Sequence, residues 1–332
     1  MNPTIEKYIA VWGERSIHFL QSWQWGDVKK PEWQPERLIV SDYPVTILTR
    51  KIPFINRRFG YIPRLFKDQV DVEILKQICT YARQLKLTHI LIDPNITDAS
   101  QQSVFNQCGF TVEGKSIQPQ QTNIIDLTKS EEQLWLELKP KTRQKIHKAE
   151  KLGCQIFQYT NGNEAIDRFY PIMQSVTNRT EYVFHNRSYL EKVWQEFSSL
   201  SLAKIFIVTY QGKDVAGYFL LYDQLSAYEL YGGSNKEGLD VQAGFLLKWQ
   251  AIVDAKKSGK ISYDQWGVSP MVGDEFDPHH PMYQISIFKS SFGGEYTQFL
   301  PQLKIVFNQT GYQVYQAGKL FQKLLIKIRK LS

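Results

Sequence analysis

The chain has 332 residues, 42% hydrophobic and 14% aromatic, which is too long for one ordinary core and too apolar for a disordered protein, so two packed domains are expected. Forty Lys and Arg against 33 Asp and Glu leave a net charge of +7, which excludes an acidic solvating chain and favours an anionic partner such as a nucleic acid, a phosphorylated ligand or an acidic membrane face. Cys79, Cys108 and Cys154 are widely separated, which argues against a disulfide framework or a zinc site and fits a reducing compartment.

The N-terminal residues lack a basic-then-apolar leader, and no apolar run approaches the roughly eighteen residues of a membrane span. The expected location is cytoplasmic, peripheral at most at the inner face of the membrane. Strands are expected near 37–40 and 45–51, followed by a helix over 70–87 and a strand at 89–93 closed by Pro94. Next comes a strongly basic segment, 139–153. Pro140 suits a first helical position and Gly153 the position just past the end. On that helix Lys141, Lys145 and Lys148 share one face, and Arg143, His147 and Lys151 an adjacent one. Only Thr142, Ile146 and Ala149 remain to pack. Two readings stay open: a solvated helix between domains, or a surface that contacts phosphates.

The second half is clearer. Strands are expected over 202–210, 215–222 and 227–231, with a turn at 211–214; a helix over 243–258 and a strand over 261–264 follow. Three strands in a meander, then a helix and a further strand, is the core order of an acyltransferase-type α/β fold, and the first half repeats it loosely. The last segment, 319–330, is basic and amphipathic, with Leu320, Leu324, Ile328 and Leu331 on one face. It reads either as a helix docked on a domain or as one lying on anionic lipid.

Familiar catalytic and cofactor signatures are missing. An acetyl-CoA enzyme of this architecture would carry a Q/R-x-x-G-x-G/A turn whose amides cradle pyrophosphate, and Gln242-Ala243-Gly244 has the wrong spacing for it. Neither a P-loop nor a dinucleotide fingerprint occurs. His279-His280 sits in a proline-rich loop and reads as structural, and no serine or cysteine has a nucleophile context. No cofactor or metal is therefore expected. What stands out is Phe288-Lys289-Ser290-Ser291-Phe292-Gly293-Gly294. As a helix, the preceding residues align Met282, Ile285, Lys289 and Phe292 on one side, placing an ammonium on an apolar stripe. Such a lysine either snorkels to the surface or stands at a cleft wall where it can meet developing negative charge.

Taken together, 19–29 (Phe19 to Lys29), Tyr61-Ile62-Pro63-Arg64, Ile117-Gln118-Pro119-Gln120 with Ile125-Asp126-Leu127-Thr128, Lys139-Pro140-Lys141-Thr142-Arg143, Tyr231-Gly232-Gly233-Ser234 and Phe288-Lys289 resemble the Fem (FemABX-type) family. Its members are peptidyl transferases that move an amino acid from aminoacyl-tRNA onto the stem peptide of a peptidoglycan precursor. The resemblance runs through nearly the whole chain, without the charged insert that forms a coiled-coil arm in some relatives. It implies an α/β protein of two acetyltransferase-like (GNAT-type) domains. The first, precursor-binding domain covers 1–135 and is completed by the tail 302–332; the second covers 136–301.

The resemblance also implies roles. Lys29 resembles the lysine that meets the precursor's phosphates, and Asp93 an acidic residue near that site. Tyr231 matches a cleft tyrosine, while Phe288 and Lys289 match the pair at the acyl-transfer centre. The family's phosphate-binding arginine stands four residues before a tyrosine; here Arg187 is two before Tyr189, and Arg179 is a second candidate. The basic helix, through Lys141, Arg143, Lys145 and Lys148, becomes a surface for the tRNA acceptor arm. Expected partners are aminoacyl-tRNA, a precursor (UDP-MurNAc-pentapeptide or lipid II) and an anionic membrane surface, with the protein acting as a monomer. Two alternatives remain: the same donor with a protein N-terminus or lipid headgroup as acceptor, or a non-catalytic precursor-binding protein.

Overall fold

The computed structural model describes residues 3–114, 116–179 and 184–329. The chain divides into two compact units, Met1–Gln120 with Phe299–Ser332, and Gln121–Gln298. None of the described helices is long and apolar enough to cross a membrane.

In the first unit, β1 (Gln34–Val40), β2 (Tyr43–Lys51) and β3 (Arg58–Leu65) form an antiparallel meander. The helix Val72–Gln84 starts where the Asp71 carboxylate accepts the Ile74 N–H at 3.0 Å, satisfying an amide that the helix itself leaves unpaired. Its buried residues Ile74, Leu75, Ile78, Cys79 and Ala82 follow helical spacing. The chain then returns as β4 (Leu87–Pro94), parallel to β3 and buried along its whole length, as a strand covered on both faces must be. After the short β5 (Thr111–Val112), the strand Leu303–Val306 inserts between β4 and β5, antiparallel to both.

The second unit repeats the plan. Flanking strands are β6 (Gln121–Asp126) and β7 (Gln155–Tyr159). The meander is β8 (Ala203–Tyr210), β9 (Lys213–Tyr222) and β10 (Ser226–Ser234). Gln211 and Gly212 connect β8 to β9 with φ of 50° and 76°, the two left-handed residues that a tight hairpin turn needs. The helix Ala243–Lys257 then leads to β11 (Ser262–Gly267), parallel to β10. The strand Glu295–Gln298 closes the far edge beside β6. Both units thus share a meander, crossover helix and parallel fourth strand, the arrangement of an acetyltransferase core. The helices Glu164–Arg179 and Arg187–Ser198 bury Phe169, Ile172, Leu190, Trp194 and Phe197, so they belong to this unit's core, and no coiled-coil arm is present among the described residues. At the C-terminus the helix Gln309–Arg329 packs Val314 and Tyr315 against Leu48, Ile52, Phe59 and Tyr61. The predicted apolar face there, Leu324, Ile328 and Leu331, lies outside the described side chains.

Candidate active site

The parallel pairing of β10 with β11 ends at Tyr228 and Asp264, and both strands are irregular just beyond. The register slips between Glu229 and Tyr231 on β10 and between Asp264 and Gly267 on β11. Trp266 there adopts φ 61°, a conformation that an L-residue keeps only when held. Asp264 holds it by accepting the Trp266 N–H at 2.7 Å and the Thr122 hydroxyl. The carboxyl ends of parallel strands that part are the usual place for ligands in α/β sheets.

The helix Tyr283–Ser290 brings Lys289 to this point. Its side chain is 6% exposed, which rules out the snorkelling reading, and Nζ donates to the Gly267 carbonyl at 2.9 Å. The expected apolar stripe is also corrected. Met282 precedes the helix as its N-cap, Ile285 is exposed, and the buried residues are Ser286 and Lys289. A polar inner face is possible because its partners are present: Ser286 Oγ accepts the Ser269 N–H at 2.7 Å and donates to the Met282 carbonyl at 2.7 Å.

A second buried lysine stands beside the first. Lys248, on the crossover helix, is fully buried and pairs with Glu229 at 2.9 Å. The Tyr263 hydroxyl donates to the same carboxylate at 2.8 Å. The Lys248 ammonium lies 5.2 Å from the centre of the Phe288 ring and 5.4 Å from that of Phe292. Burial lowers Lys289 from its usual 10.5 to about 8, Glu229 and Asp264 pull it back up, and Lys248 pushes it down. Lys248 is also lowered by burial, against the opposing pull of Glu229. The difference between them is chemical. Lys248 touches a carboxylate, whereas Lys289 rests on a neutral carbonyl. No sequence motif marks Lys248 or Glu229; a lysine amid Leu246, Leu247 and Ala251 is the signal that could have found the pair.

The basic helix adjoins this site. It spans Pro140–Lys151 and buries Thr142, Ile146 and Ala149 as expected. The Lys139 N–H donates to the Ser291 carbonyl at 3.0 Å, which ties its start to the end of the Lys289 helix. Lys145 Nζ lies 4.3 Å from the Phe245 ring centre, and Phe245 packs edge-on against Phe288 at 4.9 Å. Phe288, Lys289 and Lys145 are thereby brought together. Lys141 is exposed, and Lys148 reaches the Asp240 carbonyl at 3.5 Å. Arg143 is engaged differently: Nη1 donates to the carbonyls of Trp135, Leu136 and Leu138, the last at 2.7 Å. It closes the C-terminus of the helix Glu131–Glu137.

Tyr231, buried on β10, meets His185 edge-on at 5.7 Å, and His185 stacks on Tyr189 at 4.1 Å. His185 joins these two predicted residues, and no sequence pattern marks it. Arg179 donates to the Ser234 carbonyl at 2.9 Å. Arg187 is exposed and pairs with Asp167 and, at 2.7 Å, with Glu191. A groove of about 310 Å³ beside His185 is lined by Tyr170, Gln174, Thr177, Asn178 and Phe184.

In the first unit Lys29 ends the helix Trp23–Val28, its ammonium 4.2 Å from the Trp25 ring centre. Asp93 is buried at the carboxyl end of β4 and accepts from Tyr61 Oη at 2.6 Å, the Gln118 N–H at 2.9 Å and Gln302 Nε2 at 3.0 Å. Burial raises its pKa, and those donors with Arg64 limit the rise. Two of the stretches that carry the family resemblance, around Tyr61 and Gln118, therefore converge on one carboxylate. Gln302 joins them with no signal in its own sequence.

Two units that each carry a meander, a crossover helix and a parallel fourth strand form a tandem GNAT-type fold, and the comparisons place it. The chain belongs to the FemAB family, whose pattern matches residues 12–213 and 200–319. It is similar to the lipid II:glycine glycyltransferase of Staphylococcus epidermidis, 22% identical in an alignment of 417 residues covering 100% of this chain and 99% of the relative. It also resembles the crystal structure of FemX, with TM-score 0.83, 19% identity and 95% and 98% of the two chains covered. A tandem GNAT protein from the clavulanic acid biosynthesis pathway shares the fold more distantly, with TM-score 0.50, 10% identity and 91% and 94% coverage.

Proposed function

We propose that this protein transfers an amino acid from aminoacyl-tRNA to an amine on the stem peptide of a peptidoglycan precursor, nucleotide- or lipid-linked. Membership of the FemAB family supports the reading, as does similarity to proteins named for glycyl transfer to lipid II. The observation that carries it is Lys289, a buried cation resting on one neutral carbonyl beside Phe288. An aminoacyl ester is already activated, so the reaction needs alignment and charge stabilisation. The acceptor amine forms the new C–N bond and gives up a proton. The ester C–O bond breaks, and the 3′-oxygen of the tRNA leaves and takes a proton. Lys289 stabilises the tetrahedral oxyanion or the departing oxygen. Phe288, whose ring lies 5.2 Å from the Lys248 ammonium, is assigned the wall of the site.

Within the same reading Lys29, Arg179 and Arg187 are candidates for the precursor's phosphates, Tyr189 and Tyr231 for its sugar or peptide. Asp93 orients Tyr61, Gln118 and Gln302 instead of reaching the ligand directly. Lys141, Lys145 and Lys148 face the acceptor arm, whereas Arg143 braces the helix before it. The test is to incubate the protein with labelled aminoacyl-tRNAs and either UDP-MurNAc-pentapeptide or lipid II and to weigh the acceptor. A mass gain of one or more amino acids on either supports the reading. Transfer only to a peptide N-terminus or lipid headgroup, or binding without transfer, overturns it.

A further inference from the structure

The hairpin joining β2 to β3 has a tip that folding does not explain. It is closed by the Ile52 N–H on the Arg57 carbonyl at 2.9 Å, with Ile52 buried and Ile55 packed against the same apolar cluster. Between them Phe54 is 98% exposed, at φ 69°. Glycine or asparagine suits that conformation, while a bulky aromatic is strained in it. A phenylalanine there raises the cost of the turn and buries nothing in return, so its benefit lies outside the folded chain.

The surroundings indicate the partner. Residues 43–67 contain no Asp or Glu, and Arg50, Lys51 and Arg57 are exposed. Arg58 pairs with Glu36, while Arg50, Lys51 and Arg57 have no ion pair among the described residues. The C-terminal helix packs Val314 and Tyr315 on the cluster that holds Ile52 and Ile55. Further along that helix Leu320 is 67% and Phe321 59% exposed. After Glu295 the sequence contains no acidic residue at all.

We propose that this hairpin tip is a membrane-docking element: Phe54 inserts into the interface of an anionic bilayer while Arg50, Lys51 and Arg57 meet lipid phosphates. Exposed apolar side chains ringed by cations are the composition of an interfacial anchor. Nucleic acid offers the same phosphates, but a base takes an aromatic ring by stacking and gives an aliphatic Leu320 nothing. The bilayer accommodates both. The contact does not depend on the proposed reaction, since it requires no substrate.

Co-sedimentation of the full chain with vesicles tests it. Binding is expected to phosphatidylcholine vesicles containing phosphatidylglycerol and to be much weaker to phosphatidylcholine alone, declining with added salt. Phe54→Ala is expected to weaken binding about ten-fold, and Lys51→Gln with Arg57→Gln about twenty-five-fold. Both changes are at exposed positions, and unchanged thermal unfolding confirms that each variant is folded. Equal binding to the two lipid compositions, or binding that neither variant alters, overturns the proposal. So does absence of vesicle binding, including the case in which the same variants instead weaken binding of tRNA.

Discussion

Lys289 and Lys248 are both buried, yet only Lys248 touches a carboxylate: its Nζ is 2.9 Å from Glu229, while that of Lys289 is 2.9 Å from the Gly267 carbonyl. Two like charges so placed differ in what each can still do. The paired one is held by its counter-charge beside the Phe288 ring, and the other has spare hydrogen-bonding capacity.

Lys289→Met is expected to lower turnover by about 10²–10³-fold, the usual effect of deleting one oxyanion donor, with KM for the precursor little changed. Steady-state kinetics with both substrates varied checks this. Because the change also removes a buried charge, stability should hold or rise. Equal losses in kcat and in precursor affinity would place Lys289 in ground-state binding.

The pH dependence has opposite signs for activity and stability. Lys289 titrates near 8 when folded against 10.5 in the free side chain. Between those values the unfolded chain holds more protons, so stability rises with pH. Turnover falls over the same range as the cation is lost. The difference between wild type and Lys289→Met isolates this group from Lys248 and Lys260, whose pKa values are also lowered. Any activity kept by Lys289→Arg should have its falling limb displaced upward.

Glu229→Gln leaves the Lys248 ammonium buried without its counter-charge and is expected to cost about 3–5 kcal/mol. Lys248→Met combined with Glu229→Gln should recover much of that loss. Denaturant unfolding of the singles and the double gives the coupling energy; additive losses would show that the pair does not act as a unit.

Binding of charged tRNA should fall steeply with salt, and Lys141→Glu with Lys145→Glu should flatten the slope of log K against log salt by about 0.7–0.9 for each phosphate no longer neutralised. Arg143→Gln should leave the slope alone and lower stability, since its guanidinium closes a helix end. A slope unchanged by the lysine reversals returns Pro140–Lys151 to a solvated helix.

Glu113 joins Lys304, Tyr312 and Gln316, so it fastens the C-terminal helix and the returning strand. Burial alone would raise its pKa, but those three donors outweigh it and set it at about 2 against 4.5. The stability this contributes is complete above 4.5 and is lost as pH falls towards 2. Glu113→Gln should flatten that part of the acid-unfolding profile and speed proteolysis of the tail.

Much of the fold was legible because apolar periodicity marks it. The β8–β9–β10 meander, the crossover helix and the buried stripe Thr142–Ile146–Ala149 lie where spacing puts them. β3 is hidden in the sequence because Arg58 and Arg64 interrupt its apolar run, although Arg64 is buried over the Phe299 ring. β6 joins the second sheet through its pairing with β11, and a strand's partner is not written in its own residues. At the site, Lys289 and Phe288 could be named from a short motif. Lys248, Glu229 and His185 could not, because a polar residue inside an apolar helix or strand gains meaning only when its counterpart is found in three dimensions.

The second unit is an insertion within the first, whose sheet is completed only by Leu303–Val306. On the ribosome, therefore, the segment encoded in the middle has all its strands before the one encoded first does. Until the last tens of residues emerge, β4 presents an unpaired edge and β5 has no neighbour, an aggregation hazard during synthesis. Premature termination shortly before residue 303 should thus yield a soundly built inner half carried by an outer half that cannot close.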